Sequence, residues 1–200
     1  GFETTDRRNF YDLAIGNVPF GQYQVNDKAY NNLGFNIHNY FIAKAIDQVR
    51  PGGILAFVTS RYTMDAKGPE VRKYIAERAK LLGAIRLPNN AFWANAGTSV
   101  VSDILFLQKR ERIVAVEPDW VYLGKTEDGL TINNYFIDNP EMVLGELTIR
   151  INQYGREECT VSPLPDVDLG QQLHEVVQHI HGQYLATELD FETEVDDSIP

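Results

Sequence analysis

The sequence predicts an α/β fold: part of a doubly wound, mostly parallel sheet that carries a smaller α+β appendage. Three observations lead there. Short apolar stretches occur at Leu13–Ile15, Ile54–Val58, Leu82–Leu87 and within Asp103–Gln108, and the unbroken run Ile54–Val58 has the pattern of a strand covered on both faces. Stretches with helical spacing separate the first three runs. The resulting order, strand, helix, strand, helix, strand, strand, is that of half a doubly wound sheet.

The elements follow in order. Residues 11–16 read as a short buried strand ending at Gly16. Asn36 is placed to cap a helix reaching about Arg50, with Ile37, Phe41, Ala45 and Val49 on one face. Pro51-Gly52-Gly53 ends it, and Ile54–Val58 is the second strand. Pro69 suits the first turn of a helix to about Lys80. Leu82–Leu87 is the third strand, and Asp103–Gln108 the fourth. After Arg112 the pattern weakens. Val114–Leu123 holds a strand or two, and Asn133–Leu147 is rich in turn signals. Asp168 can cap a helix to about Tyr184, with Leu169, Leu173, Val176, Val177, Ile180 and Tyr184 on one stripe. The tail from Glu188 is acidic and reads as loose. The expected division is residues 1–112 and residues 113–200, the second an acidic α+β appendage or connecting segment.

Charge supports two regions. The net charge is -10, with 18 basic and 28 acidic residues. Residues 1–112 hold 15 Lys+Arg against 10 Asp+Glu; residues 113–200 hold 3 against 18. The first region suits a polyanion, and the second repels one unless its acids lie on a separate solvated face. Arg61, Lys67, Arg72, Lys73, Arg78 and Lys80 are either phosphate contacts or the solvated side of a helix, where Lys73 and Glu77 have the spacing of an ordinary ion pair. Cys159 is the single cysteine and sits in an expected loop, so no disulfide or cysteine metal cluster is expected. His179 and His181 lie two apart on a helix and point different ways; His38 sits beside a cap, and no metal site is expected. No run is long enough to cross a bilayer, the first residues lack a signal-peptide layout, and a reducing cytoplasm is the expected setting.

The stretch that carries chemistry is Asn17-Val18-Pro19-Phe20. It stands at the carboxyl end of a strand, where open α/β sheets bind ligands. An asparagine offers an acceptor and two donors. Proline fixes one torsion and removes a backbone donor, leaving nearby carbonyls free to accept. Phe20 offers a flat face for a planar ring. Together these groups can hold an exocyclic amine and stabilise the charge that grows on its nitrogen, with no strong base.

This turn resembles the Asn-Pro-Pro-Phe signature of amino-group DNA methyltransferases, above all the N6-adenine enzymes. The rest of residues 1–112 agrees. Arg50-Pro51-Gly52-Gly53-Ile54-Leu55-Ala56-Phe57-Val58-Thr59-Ser60 resembles the family's next helix end and strand. Ala84–Phe92 resembles the following strand and its aromatic loop, and Thr98–Lys109 the closing hairpin strand. The order is similar to that of the helicase–methylase polypeptides of plasmids, phages and mobile elements, and more distantly to type I restriction modification subunits. Asn133–Gly145 looks more loosely like their connecting segment. The resemblance implies the carboxyl-terminal half of a Rossmann-like methyltransferase sheet that moves a methyl group from S-adenosylmethionine to the N6 amine of adenine in DNA. Asn17 and the carbonyl of Val18 or Pro19 would accept from the amine, Phe20 would stack on the flipped base, and Phe92 would contact it from the other side. Asn17 would also touch the cofactor. Val18 departs from the commoner proline.

The family's glycine-rich cofactor turn lies upstream of this motif, and the sixteen residues before Asn17 hold none. The expectation is therefore a fragment of a larger methyltransferase, inactive and a weak cofactor binder alone. Its partners would be DNA and the remainder of the parent polypeptide, a helicase domain among it, with no membrane. An exposed sheet edge would be covered by a partner or by residues 113–200. Two competing readings are a nucleic-acid-binding module with this fold and no catalysis, and a methyltransferase acting on a small molecule or a protein amide. The bland alternatives are a plain tight turn at Asn17–Phe20 and core anchors at Phe92 and Trp93.

Overall fold

The computed structural model describes residues 1–92, 100–151, 155, 157–183 and 185. Trp93, Thr98, Tyr184 and the acidic tail lie outside the described residues.

Four strands build the main sheet: β1 (Tyr11–Asn17), β2 (Val49–Ser60), β3 (Ala79–Arg86) and β4 (Ser102–Lys109). Their order is β1-β2-β4-β3. β1 lies parallel to β2, while β4 is antiparallel to β2 and to β3. Three strands therefore run one way and β4 is inserted against them. Helix α1 (Ile37–Gln48) connects β1 to β2, capped by the Asn36 side chain, which accepts from the amide of Asn39. A single turn, α2 (Tyr62–Asp65), and α3 (Glu70–Arg78) lead to β3. Ile42, Ile46, Leu55, Ile75, Ile85, Leu105 and Leu107 are buried in one apolar cluster between these layers.

The first strand differs from the sequence expectation. Residues 11–17 are a strand, yet not a buried one: Leu13 is 54% and Ile15 75% exposed. β1 is an edge strand, paired through β2 alone among the described residues. A continuous apolar run signals cover on both faces, but the cover has to come from neighbouring chain. The second strand starts earlier than expected. Pro51-Gly52-Gly53 does not separate helix from strand; it forms an irregularity within β2, between the pairs Tyr11↔Val49 and Leu13↔Ile54. Gly52 sits at φ +78, and a Cβ on Gly53 would lie 2.9 Å from the carbonyl oxygens of Arg50 and Asp12, so both positions need glycine.

The described residues after 112 form two hairpins and two α-helices. β5 (Leu123–Lys125) pairs with β6 (Thr131–Asn133), and β7 (Glu146–Ile151) with β8 (Glu157–Ser162). Between them lies α4 (Asn134–Asp138), and α5 (Leu169–Val176) follows β8. The expected strand at Val114–Leu123 is instead irregular chain and a 3-10 turn at Asp119–Val121. Asp168 caps α5 by accepting from the amide of Gln171 at 2.8 Å, but the helix stops at Val176 and a 3-10 turn, Val177–His179, takes over the stripe. Cys159 lies in β8, not in a loop.

Ile132, Phe136, Met142 and Leu144 join the same buried cluster as the sheet. The amide of Leu144 donates to the carbonyl of Arg86 at 2.9 Å, so this segment extends the β3 side. The described residues after 112 thus cover the edge opposite to the exposed β1, not the β1 edge that one sequence expectation gave them. The expected Lys73–Glu77 pair is absent as well. Lys73 reaches Glu117 at 2.8 Å and Glu77 holds Arg78 at 3.0 Å, because Glu117 arrives from a part of the chain that helical spacing cannot see.

Candidate functional site

The register places several chain ends together. Asn17 pairs with Val58, Ser60 with Ser102, and Arg86 with Asp103. The turn after β1, the turn after β2 and the loop after β3 therefore leave the sheet at one end.

At that end Asn17, Pro19 and Phe20 are exposed and Val18 is buried, at 3%. The Val18 side chain belongs to the core cluster, and its amide donates to the carbonyl of Val58 at 3.0 Å. One buried residue thus anchors the turn while its neighbours on both sides stay open. Proline at position 18 would lose that hydrogen bond; valine keeps it. Phe20 is 39% exposed, so its ring is open to contact. Phe92 is partly buried and packed against the core cluster. The loop that carries it starts with Pro88 and is tied to β8 by the Asn89 amide on the Val161 carbonyl at 2.8 Å.

Behind the turn stands a polar layer that sequence reasoning missed. Thr63 Oγ1 donates to Asn39 Oδ1 at 3.0 Å, so Thr59 Oγ1 must be the donor in its own 3.0 Å contact with Thr63. This links β2, α2 and α1. His38 is 2% exposed, and neither ring nitrogen has a hydrogen-bond partner of normal geometry. Burial pushes its pKa down, against an upward pull from the backbone of Gly21, which closes the Asn17–Phe20 turn. A neutral imidazole therefore lies beside that turn.

A second missed cluster is ionic. Arg86 donates Nε and Nη2 to the two oxygens of Asp103 at 2.8 and 2.9 Å, and Nη1 to Asp65 at 2.7 Å. Its guanidinium also lies over the Phe136 ring at 4.3 Å. Burial alone disfavours the charge on Arg86, yet the two carboxylates hold its pKa above the ordinary value. Burial pushes the Asp103 carboxyl up against the pull of Arg86. A trace was visible in the sequence: Arg86 ends the apolar stretch of β3 and Asp103 stands just before that of β4. Of the cations offered as phosphate contacts, Arg72 is buried and donates to the carbonyls of Val121 and Ala66 at 2.7 and 2.8 Å. Arg61 pairs with Asp65 at 3.6 Å and stacks on Tyr62. His174, His179 and His181 are exposed, and no group of residues suited to a metal ion occurs among the described residues.

Part of the chain is similar to known proteins. Residues 1–92 match the Eco57I restriction-modification methylase family. The match spans β1, the Asn17–Phe20 turn, β2, β3 and Phe92. Defense against restriction protein B of Escherichia phage P1 is 32% identical over 131 residues, which is 64% of this chain and 6% of that protein. Solved structures with a similar fold include a class I S-adenosylmethionine-dependent methyltransferase from Listeria monocytogenes (24% identity, TM-score 0.43, 58% of this chain and 36% of that one). A modification subunit of a type I restriction enzyme from Vibrio vulnificus YJ016 is another (15% identity, TM-score 0.43, 88% of this chain and 41% of that one). The chain spans well under half the length of each of these relatives. No described helix is long and apolar enough to cross a membrane.

Proposed function

We propose that this chain is the base-gripping part of a longer DNA methyltransferase that modifies the N6 amine of adenine. The observation that carries the reading is the turn itself: Asn17, Pro19 and Phe20 stand open at a strand end while Val18 is locked into the core. In this reading the Asn17 side-chain oxygen and the carbonyl of Val18 or Pro19 accept the two amine hydrogens. Phe20 stacks on the flipped ring, and Phe92 meets it from the β3 loop. Two acceptors on the amine turn its lone pair out of the ring plane. They also stabilise the positive charge that grows on nitrogen until a proton leaves to water.

S-adenosylmethionine fits the donor set on one side only. Asn17 and the turn backbone are exposed at the end of an edge strand, where they would hold the reactive end of the cofactor; it supplies the methyl group there. The exposed Leu13 and Ile15 support a longer parent protein whose further chain covers β1. Covering such side chains stabilises by roughly 1.5–3 kcal/mol each. DNA is the proposed substrate, and the rest of the parent polypeptide, a helicase domain included, the proposed partner. The division into residues 1–112 and 113–200 and the cytoplasmic setting belong to the same proposal.

The test uses the full-length protein, DNA and S-adenosylmethionine with a tritiated methyl group. Label is expected to enter DNA with the native protein and to be lost with Asn17→Ala. Incorporation unchanged by Asn17→Ala would reject the assigned role. No incorporation with a folded, DNA-binding native protein would favour the non-catalytic binding module.

A further inference from the structure

The opposite end of the main sheet carries a second concentration of function-bearing groups. Arg8 precedes β1, Arg78 closes α3, Lys109 ends β4, and Arg110 and Arg112 follow it. All five line one cavity of about 190 Å³.

Two of these cations, Lys109 and Arg110, are held in place by neutral acceptors. Lys109 Nζ donates to Asn9 Oδ1 at 2.7 Å and to the carbonyls of Asp47 and Val49 at 3.2 and 2.8 Å. Arg110 Nε donates to the Ala76 carbonyl at 2.9 Å, which leaves its other N–H groups for a ligand. Arg78 is fixed by the Tyr74 carbonyl at 3.1 Å, by Glu77 at 3.0 Å and by the Tyr74 ring beneath it. No carboxylate lies within 4.0 Å of Lys109, Arg110 or Arg112 among the described residues. The two acids in the lining do not balance the five cations. Asp47 already accepts from the Tyr30 hydroxyl at 2.6 Å and faces Arg8 at 3.9 Å, and Glu111 is exposed.

Half-buried donors on Lys109 and Arg110, fixed by neutral acceptors and flanked by the cations of Arg8, Arg78 and Arg112, describe an anion site. The lining contains no aromatic ring on which a base could stack; Ile46 and Ile113 are its apolar members. The volume is also below the roughly 300–1,000 Å³ of pockets that enclose drug-sized organic ligands. We propose that the cavity formed by Arg8, Arg78, Lys109, Arg110 and Arg112 binds phosphate groups, through charge and hydrogen bonds alone, at the end of the sheet remote from the Asn17 turn. The ligand is a phosphodiester of a nucleic-acid backbone or a free oligophosphate. This inference rests on the charge placement and not on the methyltransferase reading.

The experiment titrates the 200-residue chain, at low ionic strength, with sodium tripolyphosphate by calorimetry and with a fluorescent 12-base-pair duplex by anisotropy. Arg110→Gln and the exposed Arg112→Gln are compared with Lys125→Gln, a neutralisation outside the cavity. Loss of one charge-assisted contact is expected to weaken binding about tenfold in both arginine variants, with Lys125→Gln unchanged. If both probes bind and both weaken, the site takes phosphate from either source. Weakening confined to the duplex identifies a nucleic-acid backbone, and weakening confined to tripolyphosphate a free oligophosphate. Failure of both probes to bind the native chain, or equal affinity in native and arginine variants, overturns the proposal.

Discussion

Replacing Asp103 with alanine should unfold this protein at a markedly lower temperature. Asp103 is fully buried, and both its oxygens accept from Arg86, whose side chain is only 2% exposed. Alanine leaves that guanidinium in the core with Asp65 as its one remaining carboxylate, at 2.7 Å. Breaking a buried pair from one side costs about 3–5 kcal/mol, and the surviving Asp65 contact places this case near the lower end. For a chain of this size each kcal/mol moves the midpoint by about 2–4 °C, so a fall of about 6–12 °C is expected. The double variant Arg86→Leu/Asp103→Ala removes both charges of the pair and should lose at least 1 kcal/mol less than the sum of Arg86→Leu and Asp103→Ala. Urea unfolding followed by circular dichroism, with all four proteins of the cycle, measures this. A cost below about 1 kcal/mol for Asp103→Ala, or strict additivity, would show that the pair is not the buried lock described above.

Two further outcomes follow from the turn and the imidazole beside it. Val18→Pro removes the amide that donates to Val58, at a cost of about 1–3 kcal/mol, which the stiffer unfolded chain does not offset because that amide is hydrogen-bonded in the fold. The thermal midpoint should fall by about 2–12 °C while methyl transfer persists; an unchanged midpoint would mean that this hydrogen bond does not anchor the turn. His38 has a folded pKa below its ordinary value. The unfolded chain therefore takes up this proton first, and the related stability, complete at neutral pH, is lost as pH falls below about 6.5. Between pH 7.5 and 5.5 the urea midpoint should fall further for the native protein than for His38→Phe; equal declines would contradict the assignment.

Much of the sheet was legible because strands of this type advertise themselves locally. Ile54–Val58 and Asp103–Gln108 fall inside β2 and β4, and Asn36 and Asp168 act as the expected caps. What could not be read depends on distant partners. The run Leu13–Ile15 has the composition of a buried strand and lies at an edge, because composition records what a strand can bury and not what covers it. Arg72 reads as a surface cation on a helix, yet it is buried against carbonyls that arrive from 63, 66 and 121. The stripe from Leu169 continues to Ile180, but the backbone tightens after Val176, a change to which apolar spacing is blind. The candidate turn itself was legible for a different reason: Asn17, Pro19 and Phe20 are adjacent in sequence, so their chemistry needs no tertiary contact to be noticed. His38 and the Arg86–Asp103 pair, assembled from separate elements, needed the fold.

The most direct measurement is nucleoside mass spectrometry on DNA treated with the full-length protein and S-adenosylmethionine, alongside Asn17→Ala. N6-methyladenine in the native sample and none in the variant is the predicted result, with both proteins equally stable because Asn17 is exposed. Methylation on another base, or N6-methyladenine undiminished by Asn17→Ala, would contradict the claim that this turn grips a flipped adenine.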